Sequence, residues 1–379
     1  MTSQMEPKKV LLAGGGSAGH VNPLLAVGKK LRERGIHAEA LGTSYGLEKD
    51  LVPGADFTLH TIDKVPAPRR INGDLVRFLP RLRKVYKQTK QIIKTGDFDA
   101  VVGFGGYVSA PAYLAARSLG LPVIIHEQNM HPGMANKLGA GWAKLVGITF
   151  ADTPLRAKTG ETKHVGLPLR PEVEDLAGKL ADPAGKQKLR VKVAAELGFD
   201  PEKTTVLVTG GSLGAVKLNR VLAEAAGLFP ETVQVLHLTG KGKSAAVMEI
   251  LEQQKCVSTW QVHEYFVDMT AAFAMADFVI CRSGAGIVAE LTALGIPALY
   301  VPLPIGNGEQ KLNAQAVVAA GGALLVEDAV LNMDTIKHQV LPFLENPVQL
   351  AEMGRVSKEY GRLDAADTMA ELVKEIIGA

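Results

Sequence analysis

Val10-Leu11-Leu12-Ala13-Gly14-Gly15-Gly16-Ser17-Ala18-Gly19-His20 and Val206-Leu207-Val208-Thr209-Gly210-Gly211-Ser212-Leu213-Gly214-Ala215 open the two halves of the chain in the same way. Each passes from a short apolar, β-prone run into a cluster of glycines and then into a helical pattern. In an α/β sheet that succession is a strand, a tight turn and a helix start. Outward from these two openings, aliphatic runs at 9–13, 36–42, 57–62, 99–103, 122–126 and 144–149 alternate with helical spacing. The second half repeats this at 204–209, 233–239, 259–263, 277–281, 297–301 and 322–326. Strands that are apolar throughout predict parallel sheet covered on both faces. The expected fold is therefore α/β, with two doubly wound parallel-sheet domains. The stretch 168–192, with three prolines, two glycines and many charges, is the expected linker between domains at 1–167 and 193–357. Ligands of open α/β sheets bind beyond the carboxyl ends of the strands, so the cleft between two such domains is the expected site.

Composition narrows the function. The 379 residues are 47% hydrophobic and 21% charged, which is globular and long enough for two cores. Aromatics at 5% and a net charge of +3 argue against nucleic acid as a partner. Cys256 and Cys281, the only cysteines, make neither a disulfide framework nor a metal knuckle, which fits a reduced compartment. The first apolar run is too short for a signal peptide. The longest, Ala316 to Val326, contains two glycines and is too short to span a bilayer.

Gly14 to Gly19 satisfies G-x-G-x-x-G, so a nicotinamide dehydrogenase is one reading. That fingerprint also wants an acid at the end of the second strand, where this chain has Ala40-Leu41-Gly42-Thr43. Three more glycine loops follow strands: Gly103-Phe104-Gly105-Gly106-Tyr107, Gly210 to Ala215, and Ser283-Gly284-Ala285-Gly286. One such loop is usually packing; four at strand ends point to a ligand carrying phosphates. His20, at a helix start, reads as a general base or as a histidine satisfied by backbone. His126-Glu127-Gln128-Asn129 ends an apolar strand, facing ligand or capping the next helix. Glu290, inside an apolar helix, suits ribose hydroxyls or a solvated face. Asp97-Phe98-Asp99 matches a metal-binding D-x-D but precedes its strand, at the end away from ligands. No other cluster has metal-ligand spacing, so neither a catalytic metal nor a cofactor is expected.

From Arg69 to Lys94 there are nine Lys or Arg residues against one acid, Asp74, with Leu75, Phe78, Leu82, Val85 and Tyr86 at helical spacing. Together with Val65-Pro66-Ala67-Pro68, the segment 65–90 suits an anionic membrane surface, or is a solvated basic helix face.

Taken together, Gly15-Gly16-Ser17-Ala18-Gly19-His20-Val21-Asn22-Pro23, Gly105-Gly106-Tyr107-Val108-Ser109-Ala110-Pro111, His126-Glu127-Gln128-Asn129, Gly210 to Ala215, Cys281-Arg282-Ser283-Gly284-Ala285 and Glu309-Gln310-Lys311-Leu312-Asn313-Ala314 resemble the MurG family. These are the N-acetylglucosaminyltransferases of bacterial peptidoglycan synthesis, in glycosyltransferase family 28. The resemblance implies a GT-B fold, two Rossmann-like domains facing across a cleft, with a last helix of about 358–379 returning to the first domain. It implies inverting transfer of N-acetylglucosamine from UDP-N-acetylglucosamine to the C4 hydroxyl of the muramoyl sugar of lipid I, giving lipid II. It assigns donor contacts to Ser17, Ala18, Gly19, Asn129, Arg170, Ser212, Val267, Ala285, Gly286, Ile287, Val288, Ala289, Glu290 and Gln310. Among these, Glu290 would hold the ribose, Val267 the uracil through its backbone, Gln310 the sugar hydroxyls, and Ser212 and Arg170 the diphosphate or sugar. His20 is the implied base; Tyr107, His126 and Glu127 are acceptor-side candidates. The implied setting is the cytoplasmic face of the inner membrane, with a cell-wall synthesis complex as partner. Three places depart from the common pattern: Gly166-Leu167-Pro168, Glu309 beside Gln310, and the weakly basic Pro304-Ile305-Gly306-Asn307-Gly308. Two alternatives share the fold and nucleotide: a UDP-N-acetylglucosamine 2-epimerase, and a membrane-docked UDP-sugar-binding protein without activity.

Overall fold

The computed structural model describes residues 7–65, 74–211 and 214–379, with no side-chain description at 74–77. The chain forms two compact units, one from Met1–Arg170 with Arg362–Ala379 and the other from Pro171–Gly361.

The first unit is a parallel sheet of seven strands: β1 (Lys9–Ala13), β2 (His37–Gly42), β3 (Leu59–Thr61), β4 (Ala100–Gly103), β5 (Val123–Glu127), β6 (Leu145–Ile148) and β7 (Glu161–His164). Their order is β3-β2-β1-β4-β5-β6-β7, with Val10 level with Ala38 on one side and Ala100 on the other. Side chains alternate across a strand, so both faces of β1 need cover. Val10 and Leu12 pack with Leu24, Leu31 and Val373, whereas Leu11 and Ala13 pack with Val85, Ala112 and Tyr113. This two-sided burial is why the sequence of β1 is apolar without alternation. The helix Ala365–Ile377 inserts Met369, Ala370 and Val373 into the first of these cores. Asp367 pairs with Lys30 and Arg34, each at 3.0 Å, and Glu371 with Arg34 at 3.1 Å.

The second unit is a parallel sheet of β8 (Thr204–Thr209), β9 (Val233–Leu238), β10 (Trp260–His263), β11 (Phe278–Cys281), β12 (Ala298–Tyr300) and β13 (Leu324–Leu325), in the order β10-β9-β8-β11-β12-β13. Counted from the first strand this is 3-2-1-4-5-6, the dinucleotide-fold order, and the first unit follows it with one strand added. Val206 and Val208 face a core with Leu218, Leu222 and Leu251, while Leu207 and Val279 are as fully buried on the opposite face.

Two sequence expectations need correction. β7, the last strand of the first sheet, was absent from the expected strands because Glu-Thr-Lys-His has no apolar run. It is an edge strand with little burial, so nothing selects for one. The expected linker 168–192 is instead mostly helix, Pro171–Ala181 followed by Pro183–Leu197. Pro171 and Pro183 start helices, where a missing N–H costs nothing, and Asp182 caps the second by accepting from Ala184 and Gly185 N–H. Asp99 of the D-x-D sequence accepts from Lys8 Nζ and the Lys9 amide, both at 2.8 Å, and so ties β1 to β4. Among the described residues no helix is long and apolar enough to cross a membrane.

Arg190 anchors the helix Pro183–Leu197 with its whole guanidinium. It donates to the Pro201, Met275 and Lys203 carbonyls and, through two nitrogens, to Asp277 at 3.1 and 2.8 Å. Arg190→Met removes these donors and leaves a largely buried carboxylate and three carbonyls without them. We expect a loss of about 3 kcal/mol in urea unfolding of this unit, read by Trp260 fluorescence in a Trp142→Phe background.

Candidate active site

In each sheet the strand order reverses beside the first strand, and the loops on either side of that point can part to admit a ligand. In the first unit the flanking loops follow β1 and β4; in the second they follow β8 and β11. All four glycine loops singled out in the sequence are these loops.

After β1 the chain turns through Gly14-Gly15-Gly16 into the helix Ala18–Glu33. Ser17 occupies the cap position without capping; its Oγ lies 3.1 Å from His20 Nδ1. Ser17, Ala18 and Gly19 are exposed on the first turn, at the positive end of the helix dipole. His20 Nδ1 is also 3.0 Å from the Gly15 carbonyl. A carbonyl only accepts, so Nδ1 carries the hydrogen and Nε2 keeps a lone pair. Burial lowers the imidazole pKa below its ordinary value, outweighing the opposing hydrogen bond to Gly15 and the charge of Glu48. The ring lies against the loop after β4, where a Cβ on Gly105 would stand 3.2 Å from Nε2. Gly106, at φ 77°, packs so closely that a Cβ would come within 2.6 Å of the Gly15 carbonyl oxygen. Only glycine there lets the two loops meet.

Tyr107, half-buried, sets its hydroxyl 3.2 Å from Thr43 Oγ1, with Lys64 Nζ 5.6 Å above its ring. Burial raises its phenol pKa. His126 and Glu127, at the end of β5, are fully buried and engaged. His126 Nε2 donates to the Gly166 carbonyl at 2.8 Å and Nδ1 faces Gln128 Nε2 at 3.2 Å; burial lowers its pKa to about 4. Glu127 accepts from the Asn129 and Gly133 amides and from Asn136 Nδ2, whose Oδ1 accepts from Tyr113. Burial still raises the Glu127 pKa against those bonds. These two side chains therefore shape the loop carrying Asn129 and are not open to solvent. Asn129 and Arg170 are half-buried.

In the second unit Gly211 and Gly214, at φ 80° and 67°, bracket the turn after β8; Ser212 lies outside the described residues. After β11, Arg282 pairs with Asp328 at 2.7 Å and donates to the Val301 and Pro302 carbonyls. Ser283 is buried, and its Oγ makes no hydrogen bond among the described residues. The helix Ala285–Leu294 starts here, so Ala285, Gly286 and Ile287 form its first turn, while Val288, Ala289 and Glu290 carry it into the second. Glu290 is half-buried. Asn313 donates to the Ser283 carbonyl at 3.4 Å, joining this loop to the helix Glu309–Ala319, where Gln310 Oε1 accepts from the Leu303 amide at 2.9 Å. Val267, 87% exposed, follows β10. Among the described residues no group of three or more His, Cys, Asp or Glu side chains is arranged to hold a metal.

Glu48 is a residue of this loop cluster that the sequence reading missed. It lies in the first turn of the helix Glu48–Gly54, fully buried. Oε2 accepts from the Gly16 amide at 2.9 Å, and Oε1 from the Thr43 amide at 3.1 Å and Thr43 Oγ1 at 2.8 Å. Burial alone would raise its pKa, but these donors together hold it below the ordinary carboxylate value. An acid does stand at the end of β2, then, but its oxygens are occupied by protein. A ribose could not reach them as a dinucleotide fingerprint requires. The signal lay in Gly42-Thr43 followed by Gly46-Leu47-Glu48, where a Cβ on Gly15, Gly42 or Gly46 would collide with the Glu48 side chain.

Glycosyltransferase family 28 matches twice, its N-terminal domain over residues 10–148 and its C-terminal domain over 205–369. The UDP-N-acetylglucosamine–N-acetylmuramyl-(pentapeptide) pyrophosphoryl-undecaprenol N-acetylglucosamine transferase of Bifidobacterium longum is 46% identical, over 97% of each chain. The crystal structure of MurG from Acinetobacter baumannii superposes with a TM-score of 0.77 at 29% identity, covering 97% of this chain and all of that one. A UDP-GlcNAc 2-epimerase from Neisseria meningitidis, with TM-score 0.70 and 16% identity over 97% of this chain and all of its own, shares the fold alone. With two domain matches in order and full-length identity of this degree, the chain belongs to glycosyltransferase family 28.

Proposed function

We infer that the protein transfers N-acetylglucosamine from UDP-N-acetylglucosamine to the C4 hydroxyl of the muramoyl sugar of lipid I, yielding lipid II and UDP. The observation that carries this is the 46% identity, over 97% of both chains, with a transferase of that name. The acceptor oxygen attacks C1 of the donor sugar as the bond from C1 to the diphosphate breaks, and the bonding pair leaves with UDP. Attack opposite the leaving group inverts C1 and makes a β linkage. His20 Nε2 takes the hydroxyl proton. Its lone pair is free because Nδ1–H is committed to the Gly15 carbonyl. The growing diphosphate charge is met by helix starts and loop amides, with Ser17, Ala18, Gly19, Ser212 and the turn at 285–287 as the candidates. In this reading Arg170 pairs with the diphosphate or sugar, Glu290 with the ribose, Gln310 and Asn129 with the sugar, and the Val267 backbone with uracil. Tyr107 is the acceptor-side group, half-buried, while His126 and Glu127 act by holding the Asn129 loop.

Lipid I is membrane-borne, and we place the enzyme on the cytoplasmic membrane face through the segment 65–90, alongside other cell-wall synthesis proteins. The helix Asp74–Gly96 supports this with Leu79, 63% exposed, beside exposed Arg81, Arg83 and Lys87. Arg69 and Arg70 lie outside the described residues.

Three outcomes test this reading. UDP release from UDP-N-acetylglucosamine in EDTA should require a lipid I analogue and give a β-linked disaccharide. Sugar conversion without acceptor would mark an epimerase, and UDP binding without turnover a binding protein. His20→Asn should lower kcat by roughly 10²–10⁴-fold with little change in UDP affinity. Because the His20 pKa lies below the usual 6.5, wild-type kcat/KM should hold through neutral pH and fall only as pH drops below that value, where Nε2 becomes protonated. Reversing Arg81, Arg83 and Lys87 to Glu should weaken binding to anionic vesicles by at least about 100-fold, at about 1 kcal/mol per cation removed. Unchanged binding would remove this surface from the membrane contact.

A further inference from the structure

The peptide between Gly15 and Gly16 is held at both ends by side chains. Its N–H donates to the buried Glu48 carboxylate at 2.9 Å, and its C=O accepts from His20 Nδ1 at 3.0 Å. A trans peptide points these groups in opposite directions, so Glu48 and His20 stand on opposite sides of one planar, polarisable unit. A negative charge drawing on the N–H pushes electron density toward the carbonyl oxygen and strengthens its hold on Nδ1–H. The arrangement has the logic of a nucleophile's base oriented by a carboxylate, with a peptide interposed.

We propose that Glu48 is a positioning residue for the transfer reaction, acting through the Gly15–Gly16 peptide to fix His20 in its Nδ1–H form and to stabilise the imidazolium made when Nε2 accepts the acceptor's proton. This rests on His20 being the base. Three features of the site support it. Glu48 is fully buried, so water screens its charge little. Its other oxygen accepts from the Thr43 amide and hydroxyl, which fixes the carboxylate in place. Gly106 packs on the Gly15 carbonyl and bars the peptide from flipping. The other ionisable groups around the pair are Tyr107, which is hydrogen-bonded to Thr43 and also faces the Glu48 carboxylate, and Lys64 above its ring. Neither bonds to His20 or to the Gly15–Gly16 peptide, so Glu48 is the charge coupled to the imidazole.

The test compares wild type with Glu48→Gln by imidazole ¹⁵N NMR of His20 and by the pH dependence of kcat/KM. In wild type the neutral ring should be the Nδ1–H tautomer. In Glu48→Gln, losing the negative charge should lower the His20 pKa, so the acidic limb of kcat/KM moves to lower pH. In the same variant kcat should drop roughly 10–100-fold with KM for UDP-N-acetylglucosamine changed less than about 3-fold. A purely structural glutamate would lower stability without moving the limb. An Nε2–H tautomer in wild type overturns the proposal even if Glu48→Gln fails to fold. So does a His20 pKa and tautomer unaltered in a folded variant. His20→Asn separates the two readings. If it retains turnover while the His20 pKa still follows Glu48, the base assignment falls and the coupling stands. If it abolishes turnover while Glu48→Gln leaves the His20 pKa in place, the coupling falls and the base stands.

Discussion

Parallel pairing decides where the polar chemistry of this chain can go. Within each sheet every strand points its carboxyl end to the same edge, and both faces are consumed by packing. Polar side chains that do work are left with that edge, and the strand-order reversal next to β1 and β8 selects the loops with room between them. Four glycine-bearing loops occupy those places. The same constraint explains why Asp99, at the opposite edge, serves to tie β1 to β4.

At the ligand edge of the first unit, two buried glutamates organise the loops, and their environments push them apart. Each accepts backbone N–H donors from a neighbouring turn, and each is desolvated. For Glu48 the donors prevail and the carboxylate stays ionised; for Glu127 burial prevails and its pKa rises. The first therefore supplies a fixed negative charge beneath the glycine turn, while the second works mainly as a hydrogen-bonded brace for Asn129 and Asn136. Two histidines divide in the same way. Burial lowers both, but His20 keeps one nitrogen toward the loops, whereas both nitrogens of His126 are engaged inside the protein.

Much of this was legible beforehand. Twelve of the strands announce themselves: the interior ones because a strand buried on both faces must be apolar along its length, and the edge strands β3, β10 and β13 because each still sits in an aliphatic run. The glycine loops announce themselves because close backbone approach excludes other residues. β7 was invisible because an edge strand needs no apolar run. The helices at 171–197 were hidden by prolines that break a helix in the middle but suit its first turn. Glu48 was hidden by its position: an acid in a first helical turn is common, and only the fold brings it back onto Gly16 across a gap of 32 residues. Hydrogen bonds of that range leave no periodic trace. The roles of Val267, Glu290 and Gln310 come from family resemblance, since no spacing distinguishes them from ordinary loop and helix positions.

The helix Ala365–Ile377 gives this architecture an order of events. It fills part of the core that begins with Val10 and Leu24, yet it is made only after the whole second unit, Pro171–Gly361, has been synthesised. On a ribosome the second unit can complete its own core first, while the first waits with an apolar groove open over the helix Ala18–Glu33. The half of the protein made first is thus finished last. Through that interval the groove is a surface for chaperones to cover, and any interruption of synthesis before Met369 leaves it exposed.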